Sequence, residues 1–353
     1  MISRFFQKII GAVRCNYRHL RLRISIKHVF GPKKINYGKN ELVVVCLVYN
    51  SEACIKQFIE HYFSLGARHI VFLDNNSKDS TVEKVREMAL VYKNITLLKS
   101  NFLLRKDEDE YHFKNYLVNR FCKNRWGMCA DADEFFDWPY SDVIGLRSLL
   151  DYLNANRYNA VVTQMLDMFS DKPLNKLEKL ENEKKLVELY DYYDISSIRK
   201  ENLLKTRLEI VGGNIISNSA IKFYLGGIRK KVFNTDNFIT KYSLFFLDKN
   251  IRLQPHSHFV GNARIADFST VLYHYKFNKD FYKSSLTVVQ TKAFPSCLNE
   301  YESYVNALDK KSSITLKQET SKKLKSTYDL VENKFLVVSE NYKNYAMEIG
   351  KKE

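Results

Sequence analysis

The chain has 353 residues, of which 45% are hydrophobic and 14% aromatic, and its formal net charge is +16. This apolar content is enough for a packed core and excludes a disordered chain, while the lack of any apolar run of about 18 residues predicts that there is no transmembrane helix. The positive charge predicts an acidic partner and leaves nucleic acid, an anionic membrane surface and a phosphorylated substrate as alternatives.

The first 40 residues form a basic segment. They contain ten lysines and arginines and no aspartate or glutamate. At helical spacing, apolar residues such as Ile10 and Leu20 gather on one side, and basic residues such as Arg14 and Arg18 gather on the other. A basic amphipathic helix of this kind is typical of an anchor in the plane of a membrane surface, so we expect residues 1–30 to bind anionic bilayers. A helix docked on the protein's own core and an RNA-binding arm are the alternatives.

The region after Gly38 alternates between apolar strands and amphipathic helices. Apolar runs predict strands over residues 42–48, 69–73, 95–98, 126–130 and 160–165. Helical spacing predicts helices over residues 55–65, 82–89, 111–121 and 145–160. Alternation with short connections favours an α/β fold with a doubly wound, mostly parallel sheet.

Three less regular segments complete the pattern. The acidic triplet Asp107-Glu108-Asp109 lies in a polar run that predicts a solvated loop. Residues 171–194 are rich in lysine and glutamate, which predicts a mobile surface excursion. From about residue 279 onward the chain is rich in lysine and has helical spacing, which predicts a helical extension.

A carboxylate cluster follows the fourth strand. The apolar approach Trp126–Ala130 runs directly into Asp131, Asp133 and Glu134. Ligands of open α/β sheets bind at the carboxyl ends of strands, and unpaired charge is costly to bury there. A divalent cation such as Mg²⁺ or Mn²⁺, shared with substrate phosphates, would explain these carboxylates. An acidic loop that caps a helix is the alternative.

Polar residues also follow the first two strands. Asp74 ends the second strand, where a carboxylate can accept hydrogen bonds from a nucleotide, and turn-forming residues follow it: Asn75, Ser77 and Asp79. A loop that only caps the next helix is the alternative. Tyr49 and Asn50 end the first strand, which favours contact with a base over a simple turn.

A glycine pair introduces a basic cluster later in the chain. Gly226 and Gly227 precede Arg229, Lys230 and Lys231. The pair allows close approach of the backbone, and the cations predict contact with phosphates or an anionic acceptor. A turn with a solvated basic face is the alternative.

Five motifs in order resemble the family 2 type of glycosyltransferases, in a bacterial branch with a DADEF-type DxD motif. They are LVVVCLVYNSE, LGARHIVFLDNNSKDST, WGMCADADEFF, GGIRKKVF and VLYHYKF, and together they span residues 41–277. The resemblance implies a GT-A fold, in which nucleotide-binding and acceptor-binding halves share one central sheet. It also implies inverting sugar transfer from a nucleotide-sugar, with UDP as the expected carrier and Mn²⁺ or Mg²⁺ as cofactor.

The resemblance implies roles for particular residues. Asp131 and Asp133 would hold the ribose and the metal, a late histidine such as His274 would complete the metal site, and Lys276 would neutralise the diphosphate. For His274, a buried histidine with a backbone partner is the alternative. An inverting reaction needs one general base; Asp167, which ends the strand at residues 160–166, is the first candidate, with Asp171 and Glu134 behind it.

These expectations divide the chain into three segments: a basic N-terminal segment (1–38), a GT-A domain (39–278) and a helical extension (279–353). Scattered cysteines without a C-x-x-C pair predict reduced thiols in a cytoplasmic protein, which the N-terminal segment would place on the inner face of the cell membrane. The expected function is transfer to a glycan or lipid-linked acceptor in bacterial surface polysaccharide synthesis. A basic nucleic-acid-binding protein and a non-catalytic scaffold are the alternatives; nucleic acid is not the expected partner, because the central motifs are acidic.

Overall fold

A mixed β-sheet forms the centre of the protein in the computed structural model, which describes residues 17–104, 107–181, 185–203, 212–253, 258–292, 295–311 and 313–351. Residues 1–16 lie outside the described residues, so the part of the basic segment that the structure describes begins at Tyr17. Within the described residues, no helix combines the length and the apolar character needed to cross a membrane.

The first half of the chain alternates between strands and helices. A helix, α1, covers residues 17–25. The elements that follow are β1 (Lys27–Phe30), β2 (Leu42–Val48), α2 (Ile55–Ser64), β3 (His69–Asp74), α3 (Thr81–Val91), β4 (Ile95–Lys99), α4 (Asp107–Phe121), β5 (Trp126–Cys129), β6 (Glu134–Asp137), α5 (Leu146–Ala155) and β7 (Ala160–Asp167).

The second half has shorter elements and ends in helices. They are α6 (Leu177–Glu181), α7 (Leu186–Leu189), β8 (Tyr192–Tyr193), β9 (Ile198–Asn202), β10 (Ile215–Ile216), β11 (Lys222–Gly226), α8 (Ile228–Phe233), β12 (Thr240–Lys241), β13 (Leu244–Phe246), β14 (Arg252–Leu253), β15 (Val260–Gly261), β16 (Arg264–His274), α9 (Phe281–Thr291), α10 (Leu298–Lys310), β17 (Lys322–Lys323), α11 (Thr327–Glu332) and α12 (Glu340–Ile349).

The strand order of the central sheet is β1-β4-β3-β2-β5-β13-β7-β16-β10, with β12 paired to β7 and β6 paired to β16. Strands β2, β3, β4 and β5 are mutually parallel, as are β7 and β16. Three short strands pair antiparallel with longer ones: β6 with β16, β12 with β7 and β13 with β5. The predicted α/β class, with a mainly parallel sheet flanked by helices, is confirmed.

Both faces of the parallel strands are covered, which explains their continuous apolar sequence. In β2, Leu42 and Val44 pack in a cluster with α2 and α5, whereas Val43 and Val45 pack in the cluster that contains α4 and Leu22 of α1. The burial of residues on alternate faces follows from the two-residue period of a strand. The buried core therefore holds the strand ends, where the polar residues lie, in fixed positions.

Two predictions about local structure are wrong. The acidic triplet at residues 107–109 is the start of α4 and not a solvated loop. Asp109 is buried because the Arg18 guanidinium from α1 neutralises it, with Nε 2.7 Å from Oδ1. Within residues 171–194, the described part includes α6 and α7, and its leucines Leu177, Leu186 and Leu189 join the main core. Because charged residues separate these leucines in the sequence, the apolar face of the two helices is not apparent from the sequence.

The cysteines of the described residues are free thiols. Cys46, Cys54, Cys122 and Cys129 are buried, and Cys297 is half-buried. Burial raises the pKa of the Cys129 thiol to about 11, so the thiol is neutral at physiological pH.

Truncation of Phe72 tests the contribution of the sheet core. Phe72 lies in β3, is fully buried and has its ring centroid 5.9 Å from that of Phe58. We expect Phe72→Ala to lower the free energy of unfolding by about 3–5 kcal/mol, because the lost transfer energy and the remaining cavity add up. Urea denaturation followed by circular dichroism measures the change. Leu90→Ala, at a side chain that is 73% exposed, is the matched control and should leave the midpoint nearly unchanged.

Candidate functional site at the carboxyl ends of the strands

A cavity of about 420 Å³ lies where β2 and β5 end. Its walls come from the residues after β2, from Asp131 and Asp133 after β5, and from the first turns of α9 and α10. Strand β2 pairs in parallel with both β3 and β5, so the polar residues that follow the three strands meet at one edge of the sheet. A volume in this range fits a small-molecule ligand, and this edge is where open α/β sheets bind ligands.

The residues after β2 and β3 divide into two groups. Tyr49, Asn50 and Asn75 line the cavity, and Tyr49 is half-exposed. Ser77 and Asp79 are outside the cavity lining and hold the loops together. The Ser77 hydroxyl accepts a hydrogen bond from the backbone N–H of Asn50 at 2.9 Å.

Asp79 links the start of α3 to the loop after β2. One carboxylate oxygen accepts from the backbone N–H of Thr81 at 3.0 Å, and the other accepts from that of Glu52 at 3.1 Å. Asp74 is also buried: its Oδ1 accepts from the backbone N–H of Ser77 at 3.1 Å, and its Oδ2 lies 3.6 Å from the Lys99 ammonium. The geometry therefore gives these side chains the loop-holding role that the sequence left open beside nucleotide contact.

The Asp131 carboxylate faces the cavity and lies between two lysines. Its oxygens are 2.7 Å from Lys114 Nζ of α4 and 3.2 Å from Lys241 Nζ of β12. Burial raises the pKa of Asp131, but the two ammonium groups outweigh this and hold the value well below its usual range. The lysines carry no sequence signal, because isolated lysines are common in this basic chain.

Glu134 is buried beneath Asp131. Its carboxylate pairs with the Lys241 ammonium and accepts from the backbone N–H of Asp131 at 3.1 Å. Glu134 is only 1% exposed and does not line the cavity. These contacts hold the acidic loop in place.

A second series of charged side chains in contact runs inward from Asp133. Asp133 Oδ2 is 3.3 Å from His274 Nε2, and His274 Nδ1 is 2.6 Å from Asp167 Oδ1. His274 and Asp167 are register partners in the parallel pair of β16 and β7, which explains why they meet. Burial lowers the pKa of His274, but the two carboxylates outweigh this effect and raise the value to about 8.

Arg229 is the last member of this series and contacts Asp167. Its guanidinium binds Asp167 through two bonds, Nε to Oδ2 at 2.8 Å and an Nη atom to Oδ1 at 2.7 Å, and the same Nη atom is 2.8 Å from His274 Nδ1. Arg229 and Asp167 are both buried, and neither of them lines the cavity. Asp167 therefore has both oxygens engaged, and Arg229 does not reach the cavity to which the sequence assigns its phosphate contact.

The backbone before Arg229 requires glycine. Gly226 has φ +88°, and a Cβ atom on it would lie 2.8 Å from the carbonyl oxygen of Ser197. Gly227 follows with φ +72° and directly precedes α8. The glycine pair that the sequence singled out thus turns the chain so that α8 carries Arg229 into the interior.

Among the described residues, Lys276 is the lysine that lines the cavity. Its ammonium lies 4.7 Å from the centroid of the Tyr301 ring and 3.7 Å from Glu300 Oε1. Glu300 also lies 3.6 Å from an Nη atom of Arg229. One buried carboxylate of α10 therefore balances both cations, and the C-terminal helices are part of the site.

The donor chemistry of Asp133 and His274 fits the predicted metal. A carboxylate oxygen and an imidazole nitrogen converge beside the cavity, and Asp167 accepts from the second ring nitrogen, as is usual for a histidine that binds a metal. Imidazole favours Mn²⁺ over Mg²⁺. Across the described part of the chain, no three His, Cys, Asp or Glu side chains are grouped around one metal position, because Asp131 is turned toward its lysines.

Comparisons with known proteins point to one family. The family model described as "Glycosyl transferase family 2" matches residues 43–225, which is 183 of the 353 residues. A protein described as a glycosyltransferase family 92 protein, from Ricinus communis, is 27% identical over 150 residues. That alignment covers 39% of this chain and 25% of the curated relative, so the chain spans about a quarter of the length of that relative.

Two solved structures are among those to which the chain shows similarity. TarS from S. aureus is 14% identical with a TM-score of 0.29, over 38% of this chain and 26% of that chain. The mannosyltransferase PcManGT from Pyrobaculum calidifontis, in complex with GDP-Man and Mn²⁺, is 18% identical with a TM-score of 0.28, over 48% of this chain and 46% of that chain. Both TM-scores lie below 0.5, so neither structure bears on the substrates of this protein.

Replacement of Asp167 tests the buried ion pair. We expect Asp167→Asn to lower the free energy of unfolding by about 3 kcal/mol, because it leaves the Arg229 charge buried with only the more distant Glu300 to balance it. Urea denaturation gives the value. Arg199→Gln breaks the exposed ion pair with Asp236 and should leave the midpoint nearly unchanged. Equal midpoints for the two variants would contradict this energetic role.

Proposed function

Because the chain belongs to glycosyl transferase family 2, we propose that it transfers a sugar from a nucleotide-sugar donor to an acceptor hydroxyl in the cavity at the ends of β2 and β5. One observation carries this proposal: Asp133, from the segment after β5, meets His274 and Lys276, from the end of β16 and the residues just after it, at one cavity. A carboxylate, an imidazole and an ammonium group together suit a metal-bound diphosphate.

The nucleoside would lie against the ends of β2 and β3. Tyr49 offers an aromatic face beside Asn50 and Asn75, which also line the cavity. The Asn75 amide donates to the backbone carbonyl of Phe102 at 2.9 Å, and Asn50 Oδ1 accepts from the backbone N–H of Lys78 at 2.7 Å. Asp74, Ser77 and Asp79 would act through the loops that they hold. We propose UDP as the carrier, which rests on the motif resemblance, as does assignment to the bacterial branch with the DADEF-type motif.

Asp133 and His274 would hold the Mn²⁺ or Mg²⁺ ion. When bound, the ion would supply positive charge for the departing nucleoside diphosphate. Lys276 would add a second positive charge, held in position by Tyr301 and Glu300. Asp131 would face the ribose while Lys114 and Lys241 keep it ionised and fixed.

Asp280 is the general base that we propose for an inverting reaction. Four carboxylates line the cavity; Glu110 and Asp131 are paired with Lys114, and Asp133 is paired with His274. The fourth, Asp280, has no ion-pair partner for its carboxylate among the described residues. In this proposal Asp167 is a positioning residue: it orients His274 and does not take the proton of the acceptor.

The partners in this proposal are a nucleotide-sugar, a glycan or lipid-linked acceptor, and an anionic membrane surface bound through the basic segment of residues 1–30. The setting would be the synthesis of a surface polysaccharide at the inner face of the bacterial cell membrane. The lipid-linked acceptor and the membrane surface agree with the excess of basic residues at the N-terminus.

A panel of nucleotide-sugars tests the function. We expect one of the UDP-, GDP-, dTDP- and CMP-sugars to raise the melting temperature and to be hydrolysed slowly in the presence of Mn²⁺, and Asp133→Ala to abolish both effects. Asp142→Ala, at an exposed carboxylate outside the cavity, is the matched control. Folded protein without a response to any donor would contradict the proposal and favour a scaffold or a nucleic-acid-binding protein.

Two further variants separate the proposed roles of the carboxylates. Asp280→Asn should still bind donor while transfer falls by about 10²–10⁴-fold, because a general base contributes a factor of that size. Asp167→Asn should weaken Mn²⁺ binding by about 10–100-fold, as expected for the partner of a metal-binding histidine. Calorimetric titration with Mn²⁺ and with donor, beside the transfer rate, measures both. Normal Mn²⁺ affinity with lost transfer in Asp167→Asn would restore Asp167 as the base.

A further inference from the structure

The helix α1 presents an apolar stripe to solvent. Tyr17, Leu20 and Ile24 are 62%, 55% and 71% exposed, and helical spacing places them on one face. Large aliphatic side chains at consecutive turns of one exposed face form a continuous apolar surface. In a soluble protein such a surface marks a site of interaction.

The opposite face of α1 fixes the direction of this stripe. Leu22 is fully buried in the cluster with α4, and Ser25 Oγ lies 2.6 Å from Ser100 Oγ. The Arg18 guanidinium pairs with the buried Asp109 and lies 4.8 Å from the centroid of the Phe102 ring. Polar bonds and apolar packing thus attach one face to the protein and leave the stripe outward.

Basic side chains flank the stripe on both sides. Arg21 and Arg23 are exposed on either side of it, and Lys27 follows the helix. They belong to the 40 residues without an acidic residue. We propose that the stripe of Tyr17, Leu20 and Ile24, with these flanking cations, docks on an anionic lipid bilayer, with the apolar residues inserted among the acyl chains and the cations at the head groups.

A bilayer fits this surface better than a nucleic acid. Both are polyanions that would attract Arg21 and Arg23. Leu20 and Ile24 at the centre of the surface give no gain against phosphates or base edges, whereas hydrocarbon removes them from water. The arrangement of apolar centre and cationic border is therefore the one expected for an interfacial helix.

The docking surface borders the cavity. An Nη atom of Arg18 donates to the backbone carbonyl of Leu103 at 3.3 Å; Leu103 is 64% exposed, and the next residue, Leu104, lines the cavity. On α4, Asp109 holds Arg18 while its neighbour Glu110 lines the cavity. A bilayer against α1 would therefore lie beside the cavity opening. This deepens the proposed function, on which it rests: the acceptor class that fits is one carried by a lipid in that bilayer.

Vesicle flotation with the full chain tests the docking surface. We expect the protein to float with vesicles of phosphatidylcholine and phosphatidylglycerol and not with phosphatidylcholine alone. Leu20→Ser with Ile24→Ser should reduce the partition coefficient at least about tenfold. The matched control, Leu90→Ser with Val91→Ser, removes apolar side chains that are 73% and 70% exposed on α3 and should bind as the unmodified chain does.

Charge substitutions provide an independent comparison. Arg21→Gln with Arg23→Gln should reduce binding by about 25-fold at low salt, since each cation near an anionic surface contributes about fivefold. Lys310→Gln with Lys311→Gln, at exposed residues of the C-terminal extension, should bind as the unmodified chain does. Equal binding by stripe and control variants, RNA binding in place of vesicle binding, or a dimer that the stripe substitutions dissociate would each overturn the proposal.

A fluorescence measurement tests the position of the cavity. Trp126 and Trp138 are buried, so a tryptophan introduced at the surface reports its own surroundings. Leu103→Trp should be quenched by brominated phosphatidylcholine in anionic vesicles, and Val91→Trp should not. Absence of quenching at residue 103 in vesicle-bound protein would overturn the placement of the cavity beside the bilayer.

Donor hydrolysis separates this inference from the proposed function. The stripe variant should hydrolyse the donor with Mn²⁺ at the rate of the unmodified chain, because the stripe lies outside the cavity. Flotation without hydrolysis of any donor would support the docking surface and contradict the transferase. Hydrolysis by a chain that does not float would support the transferase and contradict the docking surface.

Discussion

The buried ion pair of Arg229 with Asp167 is the interaction on which the rest of the site depends. Asp167 ends a central strand, and without Arg229 its charge would be unpaired in the interior. With the pair in place, Asp167 can also accept from His274 and set the orientation of the imidazole toward Asp133. A residue that never reaches the cavity thereby determines how two residues beside it are arranged.

The same principle of paired charge applies throughout the site. Lys114 and Lys241 balance Asp131, Lys241 also balances Glu134, and Glu300 balances Lys276 together with Arg229. The pKa values of Asp131 and Glu300 lie below their usual ranges because cations from other elements lie against these carboxylates. These ion pairs fix the positions of the charged groups in the site, so a diphosphate would meet an arrangement that is largely formed before binding.

The basic excess of the chain is distributed differently inside and outside. Inside the site, lysines and arginines are paired with carboxylates, whereas Arg21 and Arg23 of α1 flank an apolar stripe and have no ion-pair partner among the described residues. This separation distinguishes cations that shape the site from cations available to an anionic surface. It also accounts for a positive net charge in a protein whose central motifs are acidic.

The amino-acid sequence alone predicts the order and type of the long elements and the strand ends at which the cavity lies. Continuous apolar runs such as residues 42–48 encode strands covered on both faces, and the acidic residues after residue 130 mark the strand end, because both signals are local. Tertiary structure alone decided which side chains meet. Lys114, Lys241 and Glu300 are single charged residues far apart in the chain, and Asp167 pairs with Arg229, which is 62 residues away. Only the strand register and the helix packing bring such charges within bonding distance, and the energy of a buried charge depends on that distance.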